Sequence, residues 1–305
     1  MATKDTGSVL SRLPGVEALD SETRDGVLFA LPYLLVFGVF LLYPLLKGLY
    51  MSLFDWNAFN PSQSEFILAE NYVRMVQDPA FWAAVRATAL FVVLTVPTLV
   101  GLGLALALGV SQDIKGKRFL RTVFFSPYVL TVSVVSLIWA ELYAPQYGPI
   151  NYYLGLVMSN PPAWLNNFTL AMPAVALATI WWTVGFNFVI LLAARQGVPE
   201  RLYEAARIDG ASTWRAFKDI TLPQMRSAIV FVTTVQLIAS FQVFGQVFIM
   251  TNGGPGNSTQ TLVMYLYRMA FRQQEFGYAA AIGYFLFVVL VAVSLINYKF
   301  VGGDD

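Results

Sequence analysis

The chain has 305 residues, of which 57% are hydrophobic and 12% charged, and its mean hydropathy is +0.61. Such a composition excludes an ordinary soluble domain. There is no cysteine and no histidine, which excludes disulfides, thiol catalysis and the commonest zinc ligands, and the net charge of +1 says little about partners because its distribution between loops matters more.

The first 25 residues are polar, with Lys4, Arg12 and Arg24 against Asp5, Glu17, Asp20, Glu22 and Asp25. They lack the apolar core and cleavage site of a secretory signal, so residues 1–25 are expected to form a cytoplasmic tail. Six apolar runs follow, at approximately 27–50, 85–110, 121–143, 170–195, 227–250 and 279–300, each long enough to cross a bilayer as a helix. The expected fold class is therefore an all-α integral membrane protein with six transmembrane helices. They form a single domain over 26–301, and 302–305 make a short cytoplasmic tail. Pro32 and Pro44 in the first run, Pro97 in the second and Pro127 in the third predict kinks. Gly101, Gly103, Ala105 and Ala107 favour close helix packing in the second.

The connections carry their own signals. Residues 51–84 hold Trp56, Phe66, Tyr72, Phe81 and Trp82, enough aromatics for a small ordered cap or an aromatic belt at the headgroups. Gly148-Pro149-Ile150-Asn151 and Thr251-Asn252-Gly253-Gly254-Pro255-Gly256 are turn sequences. Leu262, Tyr265, Leu266 and Met269 recur at helical spacing and predict a short outer helix over 261–271.

Arginine and lysine decide the orientation. With the amino terminus inside, fourteen of the 19 basic residues fall on cytoplasmic segments and five, Lys47, Arg74, Arg86, Arg268 and Arg272, on outer ones. Both termini and the 199–223 connection are then cytoplasmic, in a multi-pass protein of the plasma (inner) membrane.

That connection is polar, yet it has helical grammar. Pro199 and Glu200 suit a first turn, Gly210 a C-terminal stop, and Ser212 or Thr213 the cap of a second helix ending before Pro223. Leu202, Ala205, Ala206 and Ile208 are expected to make one small-residue face. Physics alone leaves two readings open, a hairpin lying on lipid headgroups and a docking element for another protein.

Glu204-Ala205-Ala206, then Gly210, Ile220 and Leu222-Pro223, with Asp209 beside the glycine, resembles the EAA signature of permease subunits of ABC importers, position for position. Arg121, Pro127, Trp139 and Gly148 to Asn151, and later Tyr265, Tyr267, Ala270-Phe271 and Gly277 to Ala281, are similar to carbohydrate-importer permeases of the maltose/glycerol-3-phosphate type. The nearest group is the first, MalF-like subunit, although this chain has no large outer insertion. The resemblance implies that 199–223 is a helix–turn–helix coupling loop between helices 4 and 5, docking on an ABC ATPase dimer. It implies ATP and magnesium in that partner, with no cofactor in this chain. It also implies a second homologous permease, an extracytoplasmic solute-binding protein, a surrounding lipid bilayer and no nucleic acid.

Nothing in the chain itself binds ATP. Gly116-Lys117-Arg118 has no glycine at the phosphate-loop distance before it and no Ser or Thr after the lysine. No nucleophile–base pair or metal cluster suggests an enzyme. A carbohydrate needs hydroxyl partners and an aromatic plane. Thr179, Trp182, Thr183 and Phe186 recur at i, i+3, i+4 and i+7 in the fourth run beside Asn187, and Gln236, Ser240 and Phe244 recur every four residues in the fifth. The resemblance implies solute binding on these two helices. Interhelical hydrogen bonding with the partner permease is the structural alternative for each polar residue, and a stand-alone secondary carrier or channel is the alternative for the whole protein.

Overall fold

The computed structural model describes residues 21–112 and 115–299. The expected tails, apart from residues 21–25, lie outside the described residues, as do Lys4 and Arg12. The chain opens with α1 (Ser21–Phe37) and α2 (Tyr43–Ser52), joined through a π-helical turn at Gly38–Leu42. Gly26–Ser52 is one continuous apolar helix, so neither Pro32 nor Pro44 breaks it. Pro44 follows directly on the π turn, where the regular hydrogen-bond ladder is already displaced.

Outside this helix, β1 (Phe54–Asp55) and β2 (Glu65–Phe66) pair antiparallel, with Phe54 opposite Phe66. Helix α3 (Glu70–Gln77) closes over them, because Asn71 Nδ2 donates to the carbonyls of Ser52 and Phe54 at 2.9 Å each. Lys47 places its ammonium 4.4 Å from the centre of the Trp56 ring. The aromatic segment is thus an ordered cap. Helix α4 (Pro79–Ser111) starts well before 85 because Asp78 caps it, accepting the Ala80 N–H at 2.8 Å.

The predicted third span is not one helix. It divides into α5 (Lys117–Phe125), a 3-10 turn at Ser126–Val129 and α6 (Val132–Leu142), and its two arms meet at 98°. Pro127 removes an N–H, and the Ser126 hydroxyl donates instead to the Val123 carbonyl at 3.1 Å. Leu130 and Thr131 are then fully extended. After a short helix α7 (Pro149–Gly155), the long α8 (Ala171–Gly197) returns through the bundle.

The connection after α8 holds α9 (Glu200–Ile208), α10 (Thr213–Ala216), a π turn at Phe217–Thr221 and α11 (Leu222–Gln224). A 67° bend leads into α12 (Arg226–Phe241). The predicted fifth helix ends there, is interrupted at residues 242–244 and resumes as α13 (Gly245–Met250). Then follow α14 (Leu262–Phe271), the expected outer helix, and α15 (Phe276–Asn297).

Among the described residues four helices, Gly26–Ser52, Pro79–Ser111, Ala171–Gly197 and Phe276–Asn297, are long and apolar enough to cross a membrane, or up to six if each bent pair is one span. Helices α4, α8 and α12 form the packed centre. Gly103 of α4 permits this, since a Cβ there would stand 2.9 Å from that of Asn187. Phe188, Leu191, Leu192, Met225 and Val232 seal the coupling end of this centre.

Candidate transport path and coupling segment

The coupling segment is built by local capping. Helix α9 ends at Gly210 in the left-handed region, φ +72°, with the Gly210 N–H bonded to the Arg207 carbonyl at 3.1 Å and the Ala211 N–H to the Ala206 carbonyl at 2.8 Å. These are the two bonds of a Schellman stop. Ser212 caps the second helix, accepting the Arg215 N–H at 3.3 Å. Tyr203 and Thr221 join the two arms through their hydroxyls, 2.9 Å apart. Arg195 at the end of α8 lies over the Tyr203 ring at 4.2 Å, so the hairpin is fastened to the bundle.

The hairpin's two surfaces differ from the expected one. Leu202, Tyr203 and Ile220 pack against the bundle core, while Glu204, Ala205 and Asp209 are exposed and Ile208 is 87% exposed. Leu202 and Ile208 do not share a face, because six residues is not a same-face interval on a helix. Ala206, Asp209, Ala211 and Ile220 instead line a cavity of about 240 Å³ between the two arms. The second helix does not stop before Pro223. It runs on to Gln224 through the π turn, in which the Leu222 N–H reaches Phe217, five residues back. Leu222 is half-buried and Pro223 exposed.

Asn187, Gln236 and Ser240, all singled out from the sequence, are buried between helices. Gln236 Nε2 donates to Asn187 Oδ1 at 2.9 Å, and the Ser240 and Thr95 hydroxyls are 3.0 Å apart. Asn187 Nδ2 has no hydrogen-bond partner among the described residues. Thr179 and Thr183 donate to the carbonyls four residues before them, at 2.9 and 2.8 Å. Thr183, Trp182 and Phe186 are half-buried on the continuous face of α8. Phe244 departs from its expected place. It lies beyond the end of α12 with φ −140° and packs on Phe248 and Tyr267, so it does not continue the Gln236–Ser240 face.

Sequence reasoning missed the interruption at 242–244, which contains no proline; Gly245 was the available signal. It also missed Thr95, whose partner is 145 residues distant along the chain.

The chain is thus a helical bundle with two sharply bent helix pairs and a capped hairpin that carries the EAA residues. Residues 90–301 match the family described as the inner membrane component of binding-protein-dependent transport systems. The chain belongs to this family. As a member of it, the chain is an ABC-transporter permease, a transport component and not an enzyme. Among its relatives, the diacetylchitobiose uptake system permease protein NgcF of Streptomyces coelicolor is 38% identical, over 96% of this chain and 88% of the relative. The trehalose/maltose transport system permease protein MalF of Thermococcus litoralis is 30% identical, over 91% and 94%. A bacterial ABC transporter that imports the acidic polysaccharide alginate superposes with a TM-score of 0.78 at 23% identity, over 91% of this chain and 95% of that one, which shows the shared fold.

Proposed function

We propose that this permease is one of two membrane subunits of an ATP-driven importer that moves a carbohydrate, an oligosaccharide, sugar or polyol, into the cytoplasm by alternating access. The observation that carries this reading is the hairpin at 199–223. Its exposed Glu204, Ala205 and Ile208 stand on a rigid, capped frame fastened to α8, the arrangement a coupling element needs. An ABC ATPase dimer, holding ATP and magnesium, docks there. Closure of that dimer rocks the hairpin, and α8 and α12 with it, between inward- and outward-facing states. A solute-binding protein delivers the solute from outside.

Several features support the rest of the assembly. The apolar helix Gly26–Ser52 buries only Ser52 within this chain, which leaves its surface for lipid and for a second, homologous permease. Counting each bent pair as one span gives six, with both termini in the cytoplasm. The named relatives serve diacetylchitobiose and trehalose/maltose, and an aromatic and hydroxyl-bearing face suits such solutes. The solute passes along the α8 face of Thr179, Trp182, Thr183 and Phe186. Asn187, Gln236 and Ser240 hold the helices beneath that face at their spacing, and Phe244 offers a further aromatic ring beyond the end of α12.

The test is ATP hydrolysis by the assembled importer in reconstituted membranes. Glu204→Lys and Gly210→Pro are expected to lower binding-protein-stimulated hydrolysis by about tenfold, the scale of a typical coupling energy, while the chain still inserts. Unchanged stimulation in both variants would overturn the reading.

A further inference from the structure

The bend in the third span is held from one side by α8. Leu130 and Thr131 are extended, with ψ 149° and 154°, so the chain leaves the helical hydrogen-bond ladder there. The Leu130 carbonyl accepts the indole N–H of Trp182 at 3.0 Å. One turn further along the same face of α8, Phe186 stacks on Tyr128, with ring centres 5.1 Å apart and planes 26° apart. Between them Gly185 lies directly on Phe124, where a Cβ would stand 2.1 Å from the carbonyl oxygen. Residues 182, 185 and 186 therefore form a cradle for residues 124–130.

The other side of the bend touches the interruption in the fifth span. Val132, the first residue of α6, covers Gly245, the first residue of α13, where a Cβ would lie 2.9 Å from Val132 Cγ2. Two discontinuous helices thus meet at their breaks; the third-span break is fastened to the continuous α8 by the Trp182 side chain, and the fifth-span break to Thr261, whose hydroxyl donates to the Val243 carbonyl at 2.9 Å.

We infer that Trp182 is a positioning residue: its indole N–H pins the Leu130 carbonyl and so sets the angle of α6 and of α13, which rests on it. This rests on the importer reading and refines the role of one residue in its solute path. A tryptophan on an aromatic, half-buried helix face offers its ring to a solute whether or not its N–H is free. The N–H is engaged here with a backbone carbonyl at the extended bend, 3.0 Å away, so it is not free for a solute. If α6 swings away from α8 during transport, this bond breaks, and the state that retains it is favoured by one hydrogen bond. Removing the N–H then shifts the balance between the two states before any solute arrives.

The experiment uses Leu137→Cys on α6 and Leu177→Cys on α8, both exposed positions in a chain without native cysteine. Spin labels at the two sites report their distance distribution in the importer, assembled with its ATPase in lipid nanodiscs, nucleotide-free and vanadate-trapped, with no solute present. Trp182→Phe keeps an aromatic ring and removes the N–H. The expected result is a change of about three- to tenfold in the ratio of the two distance populations, the range of one interhelical hydrogen bond in a membrane. A purely stabilising contact would lower thermal stability without moving that ratio, and a solute contact would leave the solute-free distribution unaltered. Distributions that superimpose on the parent in both states overturn the inference. Should W182F not assemble, Tyr128→Leu removes the neighbouring stack and is read in the same way. If the parent distances do not respond to trapping at all, the importer reading fails, and comparison of W182F with the parent in the isolated chain still tests the pin.

Discussion

Asn187 on α8 and Gln236 on α12 face each other in the packed centre, with 2.9 Å between Gln236 Nε2 and Asn187 Oδ1. Asn187 is fully buried and Gln236 nearly so, and Gly103 of α4 lies directly against the asparagine. The amide pair therefore fixes the spacing of the two helices that flank the 199–223 hairpin.

Replacing one amide strands the other. Gln236→Leu and Asn187→Leu are each expected to destabilise the folded protein by about 1–2 kcal/mol, while the double variant costs less than the sum. The coupling energy from the full cycle should fall near 0.6–1.7 kcal/mol, the range seen for interhelical hydrogen bonds in membranes. Thermal unfolding of the four proteins in one detergent measures it. Strict additivity would show that the two amides do not interact.

Gly210 has open space around its missing Cβ, and its φ of +72° is the only obstacle to a side chain. Gly210→Ala is accordingly expected to cost about 1–2 kcal/mol in local stability, and Gly210→Asn less, because asparagine tolerates the left-handed region. Hydrogen exchange across residues 199–223 reports this loosening. Equal protection in the parent, alanine and asparagine proteins would contradict a conformational cause.

Asp78 joins three elements at the start of α4. Its carboxylate accepts the Ala80 N–H at 2.8 Å, the Tyr278 hydroxyl at 2.8 Å and the Tyr265 hydroxyl. Burial pushes this carboxyl up, but the hydrogen bonds from Tyr265, Tyr278 and the helix N-terminus outweigh it and hold the group below its ordinary value of 3.8. The folded value being depressed, the stabilisation is complete above the unfolded value and is lost as pH falls through the folded one. Unfolding midpoints should therefore show no Asp78-dependent change between pH 7 and about 5. Asp78→Ala should cost about 1 kcal/mol through the lost cap alone. A pH titration of the parent and D78A proteins compares them, and a parent-specific loss of stability already at pH 6 would refute the assignment.

The features legible in the sequence are those with local causes. Gly210 stops a helix because it lacks a Cβ, Ser212 caps one because its hydroxyl reaches the third residue on, and the short outer helix at 262–271 follows from apolar spacing. Hydropathy located the helices of Gly26–Ser52, Pro79–Ser111, Ala171–Gly197 and Phe276–Asn297 to within about three residues at each end, except at the start of α4, which the Asp78 cap sets earlier. Less was legible where a break depends on support from elsewhere. Pro127 announced a kink, but a 98° bend persists because α8 supplies Trp182, Phe186 and the flat surface of Gly185. The interruption before Gly245 gave still less warning, and it took Phe244 off the helical face on which its spacing had placed it.

From the residues alone came the membrane class, the orientation argument and the coupling signature, since hydropathy, charge asymmetry and motif spacing are properties of neighbours in the chain. Only the tertiary structure decided which polar side chains face each other. Asn187 meets Gln236 across 49 residues, Ser240 meets Thr95 across 145, and Asp78 meets Tyr278 across 200. A periodic pattern marks which face of a helix is polar, but the identity of its partner depends on how close the backbones of other helices approach, and here a glycine on a third helix sets that distance.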